Sequence, residues 1–109
     1  MKKMLLILTL IAIGSVTLLA QTSTPPSNFS SSSGLSGDPY FISELDNLYW
    51  LSQTSAEWDK HYIQTANIDA STTNTWDSGD GFTPIGDGLT SFTGSYNGQD
   101  HTIDGLFID

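Results

Sequence analysis

The predicted fold rests on one stretch of the sequence, Phe92-Thr-Gly-Ser-Tyr-Asn-Gly-Gln-Asp-His-Thr-Ile-Asp-Gly-Leu-Phe-Ile108. Its apolar residues are separated by glycines at 94, 98 and 105, and an Asn or Asp stands beside two of them. Because Gly and Asn adopt the positive φ that a tight turn needs, this pattern is typical of short strands joined by tight turns. It predicts a stack of short β-coils with an unpaired strand edge after Ile108.

The first twenty residues have the pattern of an export signal. Lys2 and Lys3 precede an apolar run from Met4 to Leu19, and Ala20 offers a small residue for cleavage. The alternative is a single membrane anchor, but a membrane-spanning helix needs about 20 apolar residues, and this run is shorter. We therefore predict export with cleavage, an extracellular or cell-surface location with the periplasm as an alternative, and no membrane insertion after cleavage.

Charge and cysteine content exclude several classes of protein. The formal net charge is −9, the chain has no arginine or cysteine, and Lys60 is the only lysine beyond the first twenty residues. Nucleic acid is excluded as a partner because phosphate binding depends on clustered Lys and Arg, and an anionic membrane surface is disfavoured for the same reason. Without cysteine the chain has no disulfide and is not a lipoprotein.

Composition divides the chain into three segments. Residues 1–20 are the predicted signal peptide, and residues 21–37 form a Ser/Pro-rich linker with too little apolar surface to order itself. Residues 38–109 form one small folded domain. A domain of this size buries only about 60% of its unfolded surface, so its stability depends on close packing, a bound ion or further protein.

Local patterns predict one helix and several short strands. Leucines at helical spacing predict a helix from about Glu44 to Gln53, with Ser43 as N-cap and a further turn through Trp58. The other elements are strands at 40–42, 62–69, 92–96 and 102–108, a strand-like piece at 82–86, and a turn at 97–98. Isoleucines 68, 85 and 103 recur at a spacing that suits successive faces or rungs of a solenoid.

These elements, in this order, resemble the start of bacterial surface proteins with GLUG-type repeats. The resemblance covers nearly all of residues 38–109, from Asp38-Pro-Tyr-Phe-Ile-Ser to the closing His-Thr-Ile-x-Gly-Leu-x-Ile108. It implies the first coils of a right-handed parallel β-helix of the filamentous-adhesin or pectate-lyase-like class, capped by an N-terminal α-helix. The chain departs from that pattern by stopping after the first full motif, which implies a fragment or a truncated product. The resemblance implies no catalytic residues.

We therefore expect a non-enzymatic, exported structural module of the adhesion type. Its expected partners are further β-coils or another chain at the C-terminal edge, where unpaired backbone groups invite strand pairing. One alternative is a carbohydrate-binding module that uses exposed aromatics, and another is a fragment of a polysaccharide-cleaving enzyme on the same scaffold.

Few residues are candidates for a site, and no cofactor is expected. Weak Ca²⁺ candidates are the turn carboxylates Asp77, Asp80 and Asp87, which lack the spacing of an EF-hand. Trp50 and Trp76 are candidates for stacking on a glycan, although aromatics more often fill a core. His61 and His101 have no second catalytic or metal-binding residue nearby in sequence. The residues expected to shape the turns are Gly94, Asn97, Gly98, His101 and Gly105.

Overall fold

The computed structural model describes residues 21–109, and the predicted signal peptide lies outside the described residues. Five short strands and one α-helix form around a single apolar core, with 3₁₀ helices at Ser55–Glu57 and Ser71–Gly79. In chain order the elements are β1 (Tyr40–Ile42), α1 (Leu45–Ser52), β2 (His61–Gln64), β3 (Ile68–Asp69), β4 (Ser95–Asn97) and β5 (Ile103–Asp104).

The strands form two small parallel sheets. One has the order β1-β2-β4, with Tyr40 beside Tyr62 and Tyr62 beside Tyr96. The other pairs β3 with β5 and places Ile68 beside Ile103. This register stacks like residues on the core side, so a column of tyrosines and a pair of isoleucines share the interior.

The predicted β-helix is wrong for the part of the chain that the structure describes. Strands of two to four residues form one three-stranded and one two-stranded sheet, with neither a solenoid nor a closed sheet. Isoleucine spacing was misleading because Ile85 lies in a loop while the other two isoleucines pair directly. The intervening Ser71–Gly79 segment forms 3₁₀ turns, and Pro84 and the glycines near it leave 82–86 without a strand.

The predicted helix is confirmed in its predicted place after the strand at 40–42, but its N-cap and its role differ from expectation. α1 connects β1 to β2 as the crossover that two parallel strands require, so it is not a cap ahead of the first strand. Its N-cap residue is Glu44 with no side-chain hydrogen bond, whereas the Ser43 N–H donates to Asn47 Oδ1 at 3.0 Å. Leu48 and Leu51 are buried on the face that the leucine pattern predicted.

The segment predicted as a disordered linker contacts the domain from Thr24 to Gly34. Asn47, which is buried in α1, donates from Nδ2 to the carbonyl oxygens of Thr24 and Pro25 at 3.0 and 3.3 Å. Phe29 packs against Tyr40 and Trp50, with ring centroids 5.1 Å apart in each pair. These contacts cover the β1 edge of the three-stranded sheet.

The predicted turn at Asn97-Gly98 lies slightly later in the chain. The His101 N–H donates to the Gly98 carbonyl at 2.9 Å, and the two central residues, Gln99 and Asp100, have φ of 51° and 64°. This geometry is a type I′ turn, in which both central residues take positive φ. Because β4 and β5 belong to different sheets, the turn redirects the chain and does not close a hairpin.

The edge that was predicted to be unpaired after Ile108 is paired in part. Ile108 forms an antiparallel bridge with Gly81, and the Asp109 N–H donates to the Asp80 carbonyl at 3.0 Å. The final strand is shorter than predicted, because only Ile103–Asp104 pairs in the sheet. Among residues 21–109, β4 and both strands of the two-stranded sheet, β3 and β5, have one edge with no strand beside it.

Candidate functional site

The two edges of the three-stranded sheet differ in how they are covered. At the β1 edge, Asn28 accepts the Phe41 N–H at 2.9 Å and donates to the Pro39 carbonyl at 3.1 Å, so a side chain occupies backbone groups there. At the opposite edge, no strand among residues 21–109 pairs with the outer side of β4, and the same holds for β5 in the second sheet. Because hydrogen bonds alternate in direction along a parallel strand, the N–H and C=O of Tyr96 and Ile103 point outward.

An apolar groove lies beside the open edge of β4. It is lined by Leu51, Ile85, Phe92 and Tyr96 and has a volume of about 190 Å³. Drug-sized ligands occupy pockets of about 300–1,000 Å³, so this groove is suited to a single side chain. Leu51 is buried at its base, whereas the other three residues are half-buried.

Gln64 joins the two sheets from inside the core. Its side chain is 1% exposed, and its Nε2 donates to the carbonyl oxygens of Ala66 and Thr102 at 2.9 Å each. Its Oε1 accepts the Tyr96 hydroxyl at 2.8 Å. This network ties β2 to β4 and to Thr102, the residue immediately before β5, so it fixes the position of the β4 and β5 edges. Two of the three partners of Gln64, Thr102 and Tyr96, lie more than 30 positions away along the chain, so no local pattern indicates this network.

Burial raises the pKa of three tyrosines, Tyr40, Tyr62 and Tyr96, and this makes stability sensitive to high pH. Desolvation raises the pKa of Tyr96 to about 12 from its ordinary value of 10.0, and it also raises the pKa of Tyr62, with the Glu57 charge as the second cause. A group with a raised pKa in the folded state binds its proton more tightly there than in the unfolded chain. Its stabilising contribution is complete below pH 10 and is lost as the pH rises through the folded value.

We therefore expect the free energy of unfolding to fall as the pH rises from 10 to about 12. Urea unfolding followed by circular dichroism at stepped pH values would measure this fall. The Tyr96→Phe variant removes one of the three groups and should show a shallower fall over the same range. If the wild type and this variant lost stability equally, Tyr96 would have no part in the effect.

Both tryptophans that were candidates for glycan stacking lie in the core. Trp50 is 8% exposed and packs edge-on against Phe29, and Trp76 is 6% exposed with Phe82 stacked 6.0 Å away. Neither indole offers a free face to a sugar ring. The polar sequence around Trp76 gives no indication that this side chain is buried. The two rings that contact it, Tyr49 and Phe82, lie in other segments of the chain.

The candidate calcium ligands do not converge. Asp77 and Asp80 line a cavity of about 360 Å³ together with Asp109, but residues 21–109 hold no group of three acidic or histidine side chains placed for a metal ion. Asp87 lies apart and accepts the N–H groups of Leu89 and Thr90 at 2.8 and 2.7 Å, which lower the pKa of its carboxyl. Its role is therefore to close its own turn.

Each histidine pairs with a polar residue on a neighbouring segment. Nδ1 of His61 lies 2.7 Å from Ser95 Oγ, and Nδ1 of His101 lies 3.2 Å from Asn67 Oδ1. Asn67 Oδ1 also accepts the Thr102 N–H at 3.0 Å. These pairs join residues that are 34 positions apart, so each histidine links successive passes of the chain.

The other residues that were expected to shape the turns have distinct structural roles. Gly94 lies so close to the backbone of Lys60 that a side chain there would overlap its carbonyl group. Gly105 has φ of 76° and would bring a side chain within 2.9 Å of Ser71 Cα. Asn97 Oδ1 accepts the Gln99 N–H at 3.0 Å, which supports the turn that follows. Gly98 is not crowded and supplies the carbonyl that closes that turn.

Comparison with known proteins finds one curated relative. No family model matches the chain, and no solved structure matches it. A segment of 79 residues is 38% identical to part of Halomucin from Haloquadratum walsbyi, and the alignment covers 70% of this chain but 1% of that protein. This chain therefore spans a very small part of the length of the curated relative that it matches. The resemblance to GLUG-type proteins stays a prediction.

The helices of the described part are all short. Between residues 21 and 109, none combines the length and apolar character that crossing a bilayer requires.

Proposed function

We propose that this chain is a non-enzymatic structural module of a surface or secreted protein, and that further polypeptide adds to it along the open edges of β4 and β5. The observation that carries this proposal is the difference between the sheet edges. The β1 edge is covered by Asn28 and its neighbours, whereas the outward backbone groups of Tyr96 and Ile103 have no strand beside them in the described part. Unpaired edges of this kind recruit strands.

Two further observations support the proposal. Apolar side chains near these edges stay partly exposed, including Leu106, Phe107 and Ile108 at 39–48%. Similarity to a segment of Halomucin suggests a surface or secreted protein, in agreement with the export signal predicted for residues 1–20. A long protein built of many segments would need structural contacts between successive segments, and open parallel edges supply them.

Hydrogen exchange on the chain in its natural setting tests this proposal. We expect the amides of Tyr96 and Ile103 to exchange about tenfold or more slowly in material from the cell surface or medium than in the purified chain. The amide of Ile68, which already donates to the Thr102 carbonyl at 2.8 Å, is the internal control and should be protected in both samples. Equal exchange of Tyr96 and Ile103 in both samples, or recovery of the protein only from the cytoplasm, would contradict the proposal.

A further inference from the structure

The open edge of β4 has three properties that together define what binds there. It offers an outward-facing backbone at Tyr96 and an apolar groove sized for one side chain, and it belongs to a part of the chain that is strongly acidic. Each property restricts the partner in a different way: the backbone selects an extended segment, the groove selects an apolar side chain, and the charge selects the sign of the flanking residues.

The described part of the chain is strongly acidic, with twelve acidic residues and one lysine. Asp87 follows the groove residue Ile85 by two positions, Asp100 lies in the turn that follows β4, and both are exposed. The single lysine of residues 21–109 is directed elsewhere. Lys60 Nζ lies 3.0 Å from Asp59 and 4.0 Å from Glu57, and its side-chain stem lies beside Gly34, on the covered side of the sheet.

This charge distribution argues against a second copy of the chain as the occupant. Two copies joined edge to edge would bring together two strongly acidic chains, each with twelve acidic residues and one lysine in residues 21–109. Like charges placed opposite each other across paired strands destabilise the pairing, whereas opposite charges stabilise it. The complementary partner carries Lys or Arg.

We propose that the β4 edge binds an extended segment of another polypeptide, with apolar residues at alternate positions and Lys or Arg between them. The segment pairs with the outward N–H and C=O of Tyr96 as a fourth strand. One of its apolar side chains enters the groove between Ile85 and Phe92. This inference rests on the proposed function and adds the chemical class of the partner.

A peptide-binding experiment on the full chain tests the inference. The probe is a synthetic peptide of about nine residues with Lys alternating with Val or Leu, a length sufficient to span a short strand. One control peptide has Glu in place of every Lys, and another has the same composition with its apolar residues clustered. We expect the alternating Lys peptide to bind, both controls to bind at least about tenfold more weakly, and added salt to weaken binding.

Two matched variants locate the site. Ile85→Asn removes an apolar wall of the groove, whereas Leu89→Asn makes the same kind of change four residues later, at a side chain that is 97% exposed and outside the groove. We expect Ile85→Asn to weaken binding about tenfold, the effect of losing one apolar contact, and Leu89→Asn to leave it unchanged. Backbone chemical-shift changes in the unmodified chain should centre on Tyr96 and Asn97, which locates the peptide without any substitution.

Several outcomes would overturn the inference. Equal binding of the Lys and Glu peptides would remove the charge argument, and equal effects of the two variants would show non-specific attraction to an acidic surface. Concentration-dependent dimerisation that Ile85→Asn abolishes would make a second copy the occupant. If no peptide binds while Tyr96 and Ile103 are protected in natural material, this inference fails and the proposed function stands. If peptides bind but Tyr96 and Ile103 are not protected in natural material, the proposed function fails and the peptide-binding property of the β4 edge stands.

Discussion

Gly94→Ala is expected to lower the free energy of unfolding by about 3 kcal/mol, which a small domain of this kind tolerates poorly. A Cβ atom at this position would overlap the carbonyl oxygen of Lys60 and lie 2.7 Å from its carbonyl carbon. These are backbone atoms at the start of β2, so they cannot rotate away as a flexible side chain would. The overlap can be relieved only by separating β4 from β2.

That separation would break the hydrogen bonds that begin the β2–β4 pairing. The N–H groups of Thr93 and Gly94 both donate to the Trp58 carbonyl, at 2.9 and 3.0 Å, and the Ser95 N–H donates to the Lys60 carbonyl at 3.2 Å. Chemical unfolding followed by circular dichroism would measure the loss. Gly88→Ala is the matched control, because no atom lies within 4 Å of the added methyl group. If both variants were equally stable, the close approach at Gly94 would not exist in solution.

Gln64→Leu should destabilise the domain by a similar amount, about 3 kcal/mol, although the two side chains are close in size. The substitution leaves the Tyr96 hydroxyl and the carbonyl oxygens of Ala66 and Thr102 without their side-chain partner in a buried setting. Each buried polar group that loses its partner costs about 1–3 kcal/mol, and some of that cost is recovered when the core relaxes. Unfolding by urea at neutral pH would measure it.

Two further variants distinguish the loss of the Gln64 hydrogen bonds from the effect of a Gln-to-Leu substitution as such. Gln53→Leu makes the same substitution at an exposed position and should change stability by less than about 0.5 kcal/mol. Tyr96→Phe added to Gln64→Leu should cost less than the sum of the two single changes, because it removes the hydroxyl that the first change left unpaired. Strict additivity would show that Gln64 and Tyr96 do not interact.

Local pattern predicted the elements whose contacts are local. The leucine spacing predicted α1, and the alternation over 62–69 predicted that Tyr62, Gln64 and Ile68 share a face, which is buried. The single strand predicted there is instead two strands, β2 and β3, in different sheets. The helix and the shared face were predicted correctly because a helix face and a strand face are set by the period of the backbone itself. The covering of the sheet by residues 24–34 was not predictable, since it depends on Asn28 and Asn47 finding distant backbone partners.

The order in which the strands pair could not be predicted from the sequence. A regular spacing of isoleucines is compatible with any arrangement that brings the chain back to the same side of the core. Ile85 lies in a loop and lines the groove, so it does not pair with the other two isoleucines. The same limit applies to the candidate site. Ile85, Phe92 and Tyr96 are spaced irregularly along the chain, so only the pairing of β4 with β2 brings them together beside Leu51.

The burial of every tryptophan in the chain gives this domain a built-in optical reporter. The three indoles face different neighbours: Trp50 meets Phe29 of the N-terminal segment, Trp58 donates to the Leu51 carbonyl at 2.7 Å, and Trp76 stacks on Phe82. Loss of any one of these contacts would expose a single indole to water and shift its emission to longer wavelength. Chains that retain one tryptophan at a time would therefore show, without an attached dye, which region of the domain opens first.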